Sequence, residues 1–501
     1  MDRLLIRNCA VLIVPETGEC RVDENQDIHI ADGAILAIVP TGTNPQLPNP
    51  QQPTLHGPDS QQPTPHKPTE HEHASQQATP HDPAPPQPAL GDRASSDFEV
   101  IDGTGLLAVP GLTNSHTHSP MVMMRGAAED VSIDDWFNQK IWPMELNLTP
   151  ERVRVGARLA CAEMLLAGVT TFVDHYFHAD QIAEAALETG IRADLAPTFF
   201  SSTGPDGREA AFDAARQIRA LGNQSANGRP PRITASLGPH APYTVTDEDL
   251  ARTAEVARAE GFRIHLHAAE TLDQTRSSKN RLGATPIEVL DRTGVLEAGA
   301  LIAHGCGILD EDLPRLERHA DRTAVATCPK VYLKLAMDST TPIRQLQSAS
   351  IPVGIGTDGA AVHNTLDVWE SLRLVALTQK QREQQAEWMP LSDTLRLATR
   401  GGATAANLPI LTGALEPGRR ADITLLDLSA PHNQPLHNPL AALVYSTRPS
   451  DVVHVLVDGH QVVRNRTLTT SNLPNLLAEA RDLAHTLTTL TQEGAIQHYA
   501  P

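Results

Sequence analysis

The stretch Pro110–His118, PGLTNSHTH, decides how this chain is read. It follows an apolar, β-prone run and closes on two histidines two positions apart. Side chains two apart on a strand face the same way, so His116 and His118 aim their imidazoles at one spot from a rigid strand end. Such a pair is a natural first bite for zinc or ferrous iron. Three further stretches repeat the pattern: His265–Glu270 (HLHAAE), Ala303–Gly305 (AHG) and Gly356–Gly359 (GTDG). Each follows a β-like run and carries a group that binds a metal or moves a proton. Together they point to one divalent ion used to activate water.

Around these stretches, from Gly111 to about Asn407, short β-like runs alternate with helix-like ones. Expected strands include Thr170–Asp174, Ile233–Leu237, Arg263–His267, Ala300–Ala303, Thr323–Ala326 and Val353–Gly356. Amphipathic stretches such as Glu151–Ala167 and Asp247–Glu260 lie between them. Strand–helix–strand alternation over about 300 residues predicts an α/β fold, a (β/α)8 TIM-type barrel spanning 111–407. Catalytic groups of such barrels sit at the carboxyl ends of strands, where the four stretches fall.

The flanks read differently. Residues 1–43 alternate apolar and polar positions (Leu4–Arg7, Ala10–Val14, Ile28–Ile30, Ile35–Val39), and the pattern resumes over 98–110 and 408–466. The two ends are expected to pair into one small β-sandwich domain, with 467–501 a helical tail. Between the first two segments, 44–97 is rich in Pro, Gln, Thr and His and echoes itself in QQPT at 51 and 61 and QQAT at 76. It lacks the apolar area to offset ordering entropy, so it reads as a disordered insert whose histidines belong to a solvated spacer.

A formal charge of −20 argues against nucleic acid or an anionic membrane surface as partner. No signal peptide and no long uncharged apolar run is visible, so a soluble cytoplasmic protein is expected. The five cysteines are odd in number, scattered and without a C-x-x-C pair, which suits reduced core residues.

Within the expected barrel, His267 offers a third imidazole at a strand end, and Glu270, three residues on, reaches the reacting water or substrate as a proton shuttle. His265 shares that strand face and is the alternative ligand; His267 is preferred because it lies nearer the strand end. His304 is either a further ligand or a group that orients the water. Asp358 ends a buried strand between glycines that would let substrate approach its carboxylate.

These motifs resemble the amidohydrolase superfamily, from the first strands to about residue 465 outside the insert. Gly126–Trp142 followed by Glu145, Leu237–Thr244 (LGPHAPYT), Pro329–Leu335 (PKVYLKL) and Gly356–Ala361 (GTDGAA) are most similar to methylthioadenosine/S-adenosylhomocysteine deaminases. The resemblance implies one divalent metal, zinc with ferrous iron as the alternative, held by His116, His118, His267 and Asp358. It implies Glu270 on the purine ring, His304 on the attacking water, Glu145 on the ribose hydroxyls and His240 on the nucleoside. The implied reaction is hydrolytic deamination of an adenine nucleoside with a modified 5′ end. Neither Lys330 nor Lys334 stands where a two-metal centre would need a carboxylated lysine. A homo-oligomeric assembly is compatible with the family.

The pattern also departs from the family. Val331-Tyr332 replaces the usual Ser-Asn after Pro-Lys, so the pocket is expected to differ there. Members that take S-adenosylhomocysteine grip its carboxylate with arginine. Arg208 is the candidate for that role, in competition with Arg216, Arg219 and the plain reading of a solvated helix face. Hydrolases of chlorotriazines, guanine or pterins share the metal residues and stand as the alternative, with a non-catalytic nucleoside-binding barrel behind them.

Overall fold

The computed structural model describes residues 3–43, 45 and 98–489. The expected insert, apart from position 45, and the chain beyond 489 lie outside the described residues. Leu112–Thr117, Val169–Tyr176, Arg192–Phe199, Ile233–Ala235 and Gly238–Pro239 make one five-stranded parallel sheet. Ile264–Ala268, Ala300–His304, Ala324–Thr327 and Val353–Ile355 make a four-stranded parallel sheet. Every residue of Leu112–Thr117, Val169–Tyr176 and Ile264–Ala268 is buried. Parallel strands are covered on both faces, which buries even the polar side chains of Leu112–Thr117 (LTNSHT).

The two sheets meet at both edges. Leu237 bridges Ile264 in parallel, and the carbonyl of His116 accepts the N–H groups of Thr357 at 3.1 Å and Asp358 at 3.0 Å. His116 and Asp358 are therefore neighbours because the first and last of these strands lie side by side. Gly356 makes that approach feasible: a Cβ there would stand 2.9 Å from the His116 carbonyl oxygen and 3.0 Å from Cys328 Sγ. At Gly359 a Cβ would collide with Met121. The glycines flanking Asp358 thus make room for this chain's own atoms, a correction to the expectation that they admit substrate.

The connecting helices follow their caps. Thr149 accepts from Arg152 N to start Pro150–Leu166, with proline in the first turn. Thr246 accepts from Asp249 N to start Asp247–Glu260, three acids fill its first turn, and Gly261 at φ +69° ends it. No helix among the described residues is long and apolar enough to cross a membrane.

Strands from both chain ends share one nine-stranded sheet. The junction is the antiparallel pair Leu107–Pro110 with Ile423–Leu426, and Leu107–Pro110 also runs parallel to Arg3–Ile13. The runs Leu4–Arg7 and Ala10–Val14 form this single strand, bent where the register shifts beyond Ile6 and Asn8 adopts φ +57°. Ile6, Ile28, Ile30, Ile423 and Leu425 belong to a core cluster separate from the main one. Helix Leu473–Thr489 follows this sheet.

Candidate metal and nucleoside site

The ends of four parallel strands deliver the site. His116 and His118 come from Leu112–Thr117 and the residue after it, His267 from Ile264–Ala268, His304 from Ala300–His304, and Asp358 from just beyond Val353–Ile355. All five are buried. The ligand atoms of His116, His118 and His267 lie within 4.8 Å of one another, as do those of His116, His304 and Asp358.

The hydrogen bonds behind the rings fix what the rings present. His118 Nδ1 is 2.6 Å from the His175 carbonyl, and His267 Nδ1 is 3.0 Å from the His240 carbonyl. A carbonyl only accepts, so each Nδ1 carries its proton and each Nε2 turns a lone pair inward. Those two Nε2 atoms are 3.2 Å apart, close enough to demand a proton or a cation between them. His116 Nδ1 faces His265 Nε2 at 2.9 Å, and its own Nε2 is buried with no partner. His265 thus stands behind His116, outside the inward-facing set.

Asp358 Oδ1 completes the group, 3.2 Å from His118 Nε2 and 3.7 Å from His116 Nε2. Burial drives His116 and His267 well below the usual histidine range, with their lone pairs free. Burial also presses on His118, but Asp358, Asp174 and the His175 carbonyl outweigh it and lift the ring to about 9. Asp358 stays ionised: burial opposes its charge, and His118 and His304 overcome that. Three imidazole nitrogens and one carboxylate facing a single point are a donor set that fits one divalent cation, which would displace the His118 proton.

Glu270 and His304 sit beside this point. His304 Nε2 is 3.8 Å from Glu270 Oε1 and 3.9 Å from Asp358 Oδ2. Gln274 Nε2 donates to Glu270 Oε2 at 3.0 Å, fixing the carboxyl, and burial raises its pKa. Three residues here adopt left-handed backbone: Ala269 has φ +48°, His304 +71° and Asp358 +63°. Non-glycine residues adopt that region at a cost of order 1–3 kcal/mol each, and they persist where the surroundings fix them at functional sites.

A cleft opens over the cluster, walled by Trp136, Phe137, Trp142, Tyr176 and Phe200 with His118, His267, Glu270, His304 and Asp358 at its base. Glu145 and His240 line it. Tyr176 donates to Glu145 Oε1 at 2.7 Å, and burial lifts that carboxyl to about 7. His240 Nδ1 pairs with the Thr244 hydroxyl at 2.9 Å, and burial lowers its ring to about 3.

With this geometry fixed, the chain can be set beside known proteins. A model of the amidohydrolase family matches residues 107–462. The chain belongs to the amidohydrolase family. Among relatives of this amidohydrolase is a 5-methylthioadenosine/S-adenosylhomocysteine deaminase of Pelotomaculum thermopropionicum. It is 40% identical, over 77% of this chain and 87% of its own. A 5′-deoxyadenosine deaminase of Methanosphaera stadtmanae is 33% identical, over 78% of this chain and 90% of its own. The solved adenosine deaminase of Xanthomonas campestris with bound zinc superposes with a TM-score of 0.80. Its identity is 29%, and the match covers 97% of this chain and 99% of that one. A zinc-complexed atrazine chlorohydrolase of Arthrobacter aurescens gives 0.75 at 25% identity, covering 96% and 100%. The fold is the TIM-barrel type of the amidohydrolases, of mixed α and β content.

Of the residues singled out in the sequence, His116, His118, His267, Glu270, His304 and Asp358 meet at the cluster and Glu145 and His240 line its cavity, whereas the candidate arginines do not. Arg208 lies on helix Gly204–Ser225 with its guanidinium held by Asp249 and Glu209, and it does not line the cavity. Arg216 pairs with Glu260, and Arg219 stacks on Phe262 and contacts Glu260, as a solvated helix face does. Trp136 and Trp142 are buried in the core and also wall the cavity. His175, Tyr176, Thr198 and Phe200 line it too and were missed. His175 and Tyr176 end strand Val169–Tyr176, so the strand-end rule that found His116 and His304 would have found them. Where the family pattern has Ser-Asn, Val331 faces the cavity, and Tyr332 is spent on structure, accepting from Cys328 N at 2.7 Å.

Proposed function

We propose that this chain catalyses the hydrolytic deamination of an adenine nucleoside with a modified 5′ end. Methylthioadenosine, S-adenosylhomocysteine and 5′-deoxyadenosine are the class, and the products are the inosine analogue and ammonia. The reading is carried by one observation: His116, His118, His267 and Asp358 converge with Glu270 and His304 beneath an aromatic-walled cleft. Relatives named as deaminases of such nucleosides support it.

His116, His118, His267 and Asp358 would hold one divalent ion, zinc by analogy with the zinc-bound structures. When bound, such an ion supplies the Lewis acidity that makes water nucleophilic near neutral pH. Glu270, kept protonated more readily by its burial, meets the purine and gives a proton to the ring nitrogen as the water oxygen bonds to the six-carbon. Asp358 accepts a proton from that water, and His304 orients it. The carbon–nitrogen bond to the exocyclic amine then breaks as the amine takes the proton held by Asp358, ammonia leaves, and the proton of the new hydroxyl returns to Glu270 to give the six-keto product. Glu145, steadied by Tyr176, binds the ribose hydroxyls, and His240 contacts the nucleoside.

We read the two parallel sheets as halves of one (β/α)8 barrel over 111–407. The nine-stranded sheet, folded over its own core, is then the β-sandwich built from 1–43, 98–110 and 408–466. All five cysteines are free and buried, which fits the reducing cytoplasm.

The test is a panel of methylthioadenosine, 5′-deoxyadenosine, S-adenosylhomocysteine, guanine, a pterin and a chlorotriazine, read by ultraviolet shift and ammonia release. Turnover of the adenine nucleosides is expected. Turnover confined to another heterocycle would move the chain to the related hydrolases.

A further inference from the structure

A second depression adjoins the cavity over the cluster. Glu145, Tyr176, Phe177 and Thr198 line both. A nucleoside whose adenine faces Glu270 and whose ribose reaches Glu145 therefore sends its 5′ substituent past Tyr176 and Phe177 into that depression. This orientation rests on the proposed function.

Along that route the walls are apolar or acidic. Trp142, Phe177 and Phe200 bound the inner part, and Pro197, Ala210 and Ala211 the outer part. The charged side chains are the carboxylates of Glu145 and Asp180. Among the described residues no lysine or arginine lines either space; His178 offers an imidazole at the outer rim. Lys140, beside Ile141, is exposed at the surface; the other basic residues adjacent in sequence to lining positions are taken by carboxylates. Lys330, beside Val331, pairs with Glu370 at 2.8 Å. Lys334, beside Leu335, pairs with Glu129 at 2.6 Å. Arg208, beside Gly207, is bound by Asp249 and Glu209.

We infer that this amidohydrolase selects nucleosides whose 5′ substituent is small, uncharged and apolar, and discriminates against those that end in an amino acid. An amino-acid tail brings an ammonium and a carboxylate together. The ammonium finds Asp180 and Glu145. The carboxylate finds no cation on the lining, and freeing Arg208, Lys330 or Lys334 would leave a carboxylate of the protein unpaired instead. Desolvating an unpaired charge is costly, whereas a methylthio group gains by burial against the aromatic wall. Discrimination of this kind comes from a missing partner rather than from a clash. A factor of about 100 in kcat/KM, equivalent to about 2.8 kcal/mol, is the expected size.

The experiment compares kcat/KM of the metal-loaded enzyme for methylthioadenosine, 5′-butylthioadenosine and S-adenosylhomocysteine. The second carries a tail of similar length without the charges. Butylthioadenosine is expected within about tenfold of methylthioadenosine, and S-adenosylhomocysteine about 100-fold below it. S-adenosylhomocysteine turned over as well as methylthioadenosine would overturn the inference. An equal fall for both long tails would also overturn it, because length rather than charge would then decide. Turnover of none of the three would overturn the proposed function itself, a distinct result.

Discussion

His118 and His267 direct their Nε2 atoms at each other across 3.2 Å while their Nδ1 protons are committed to backbone carbonyls. Neutral imidazoles so fixed repel, and the arrangement holds only with positive charge between them. His267→Ala should therefore lower metal content from one equivalent per chain to a small fraction, with activity falling in step. Elemental analysis of the purified variant reads this, and a variant that keeps its metal would remove His267 from the ligand set.

Glu270 touches no ligand nitrogen of that pair, yet it faces His304 and is fixed by Gln274. Glu270→Gln should retain the metal and lose about 10²- to 10⁴-fold in kcat, the usual scale for a lost general acid–base group. Metal content and steady-state rates on the same preparation separate the two effects. Unchanged kcat would assign proton transfer elsewhere.

Much of this was legible in the sequence because the motifs obey simple rules. His116 and His118 share a strand face, and His304 and Asp358 follow apolar runs, so strand-end logic was enough to collect them. The helix Asp247–Glu260 was readable to the residue because Thr246 and Gly261 punctuate it. Strand Arg192–Phe199 was not readable. It contains Arg192, Asp194 and Pro197, and its burial depends on Asp422, 230 positions away, which holds the Arg192 guanidinium at 2.9 Å. The surroundings of Arg208 were unreadable for a similar reason: whether an arginine is free depends on partners such as Asp249 that only folding brings near.

The Arg192–Asp422 pair links that barrel strand to the terminal sheet region and also reaches Asp458 at 3.5 Å. Both members are about 1% exposed. Asp422→Asn leaves much of the guanidinium charge uncompensated and should cost about 3–5 kcal/mol of stability. Denaturant unfolding measures this, and a loss below about 1 kcal/mol would show the pair to be dispensable.

Glu145 offers a pH signature in the substrate-free enzyme. Burial lifts its carboxyl to about 7 from an ordinary 4.5, so the folded chain holds a proton that the unfolded chain releases. The stabilisation is complete below the unfolded pKa and is lost as pH rises through about 7. Relative to Glu145→Gln, the wild type should lose on the order of 2–3 kcal/mol between pH 4.5 and 8. Parallel stability profiles for the two proteins would contradict the assignment. The same variant should raise KM for nucleosides that carry both ribose hydroxyls.

The most direct measurement titrates metal-free protein with zinc while following methylthioadenosine deamination. Activity is expected to rise in proportion to bound metal and to stop rising at one equivalent per chain. Full turnover without metal, or none once the site is filled, would contradict the account.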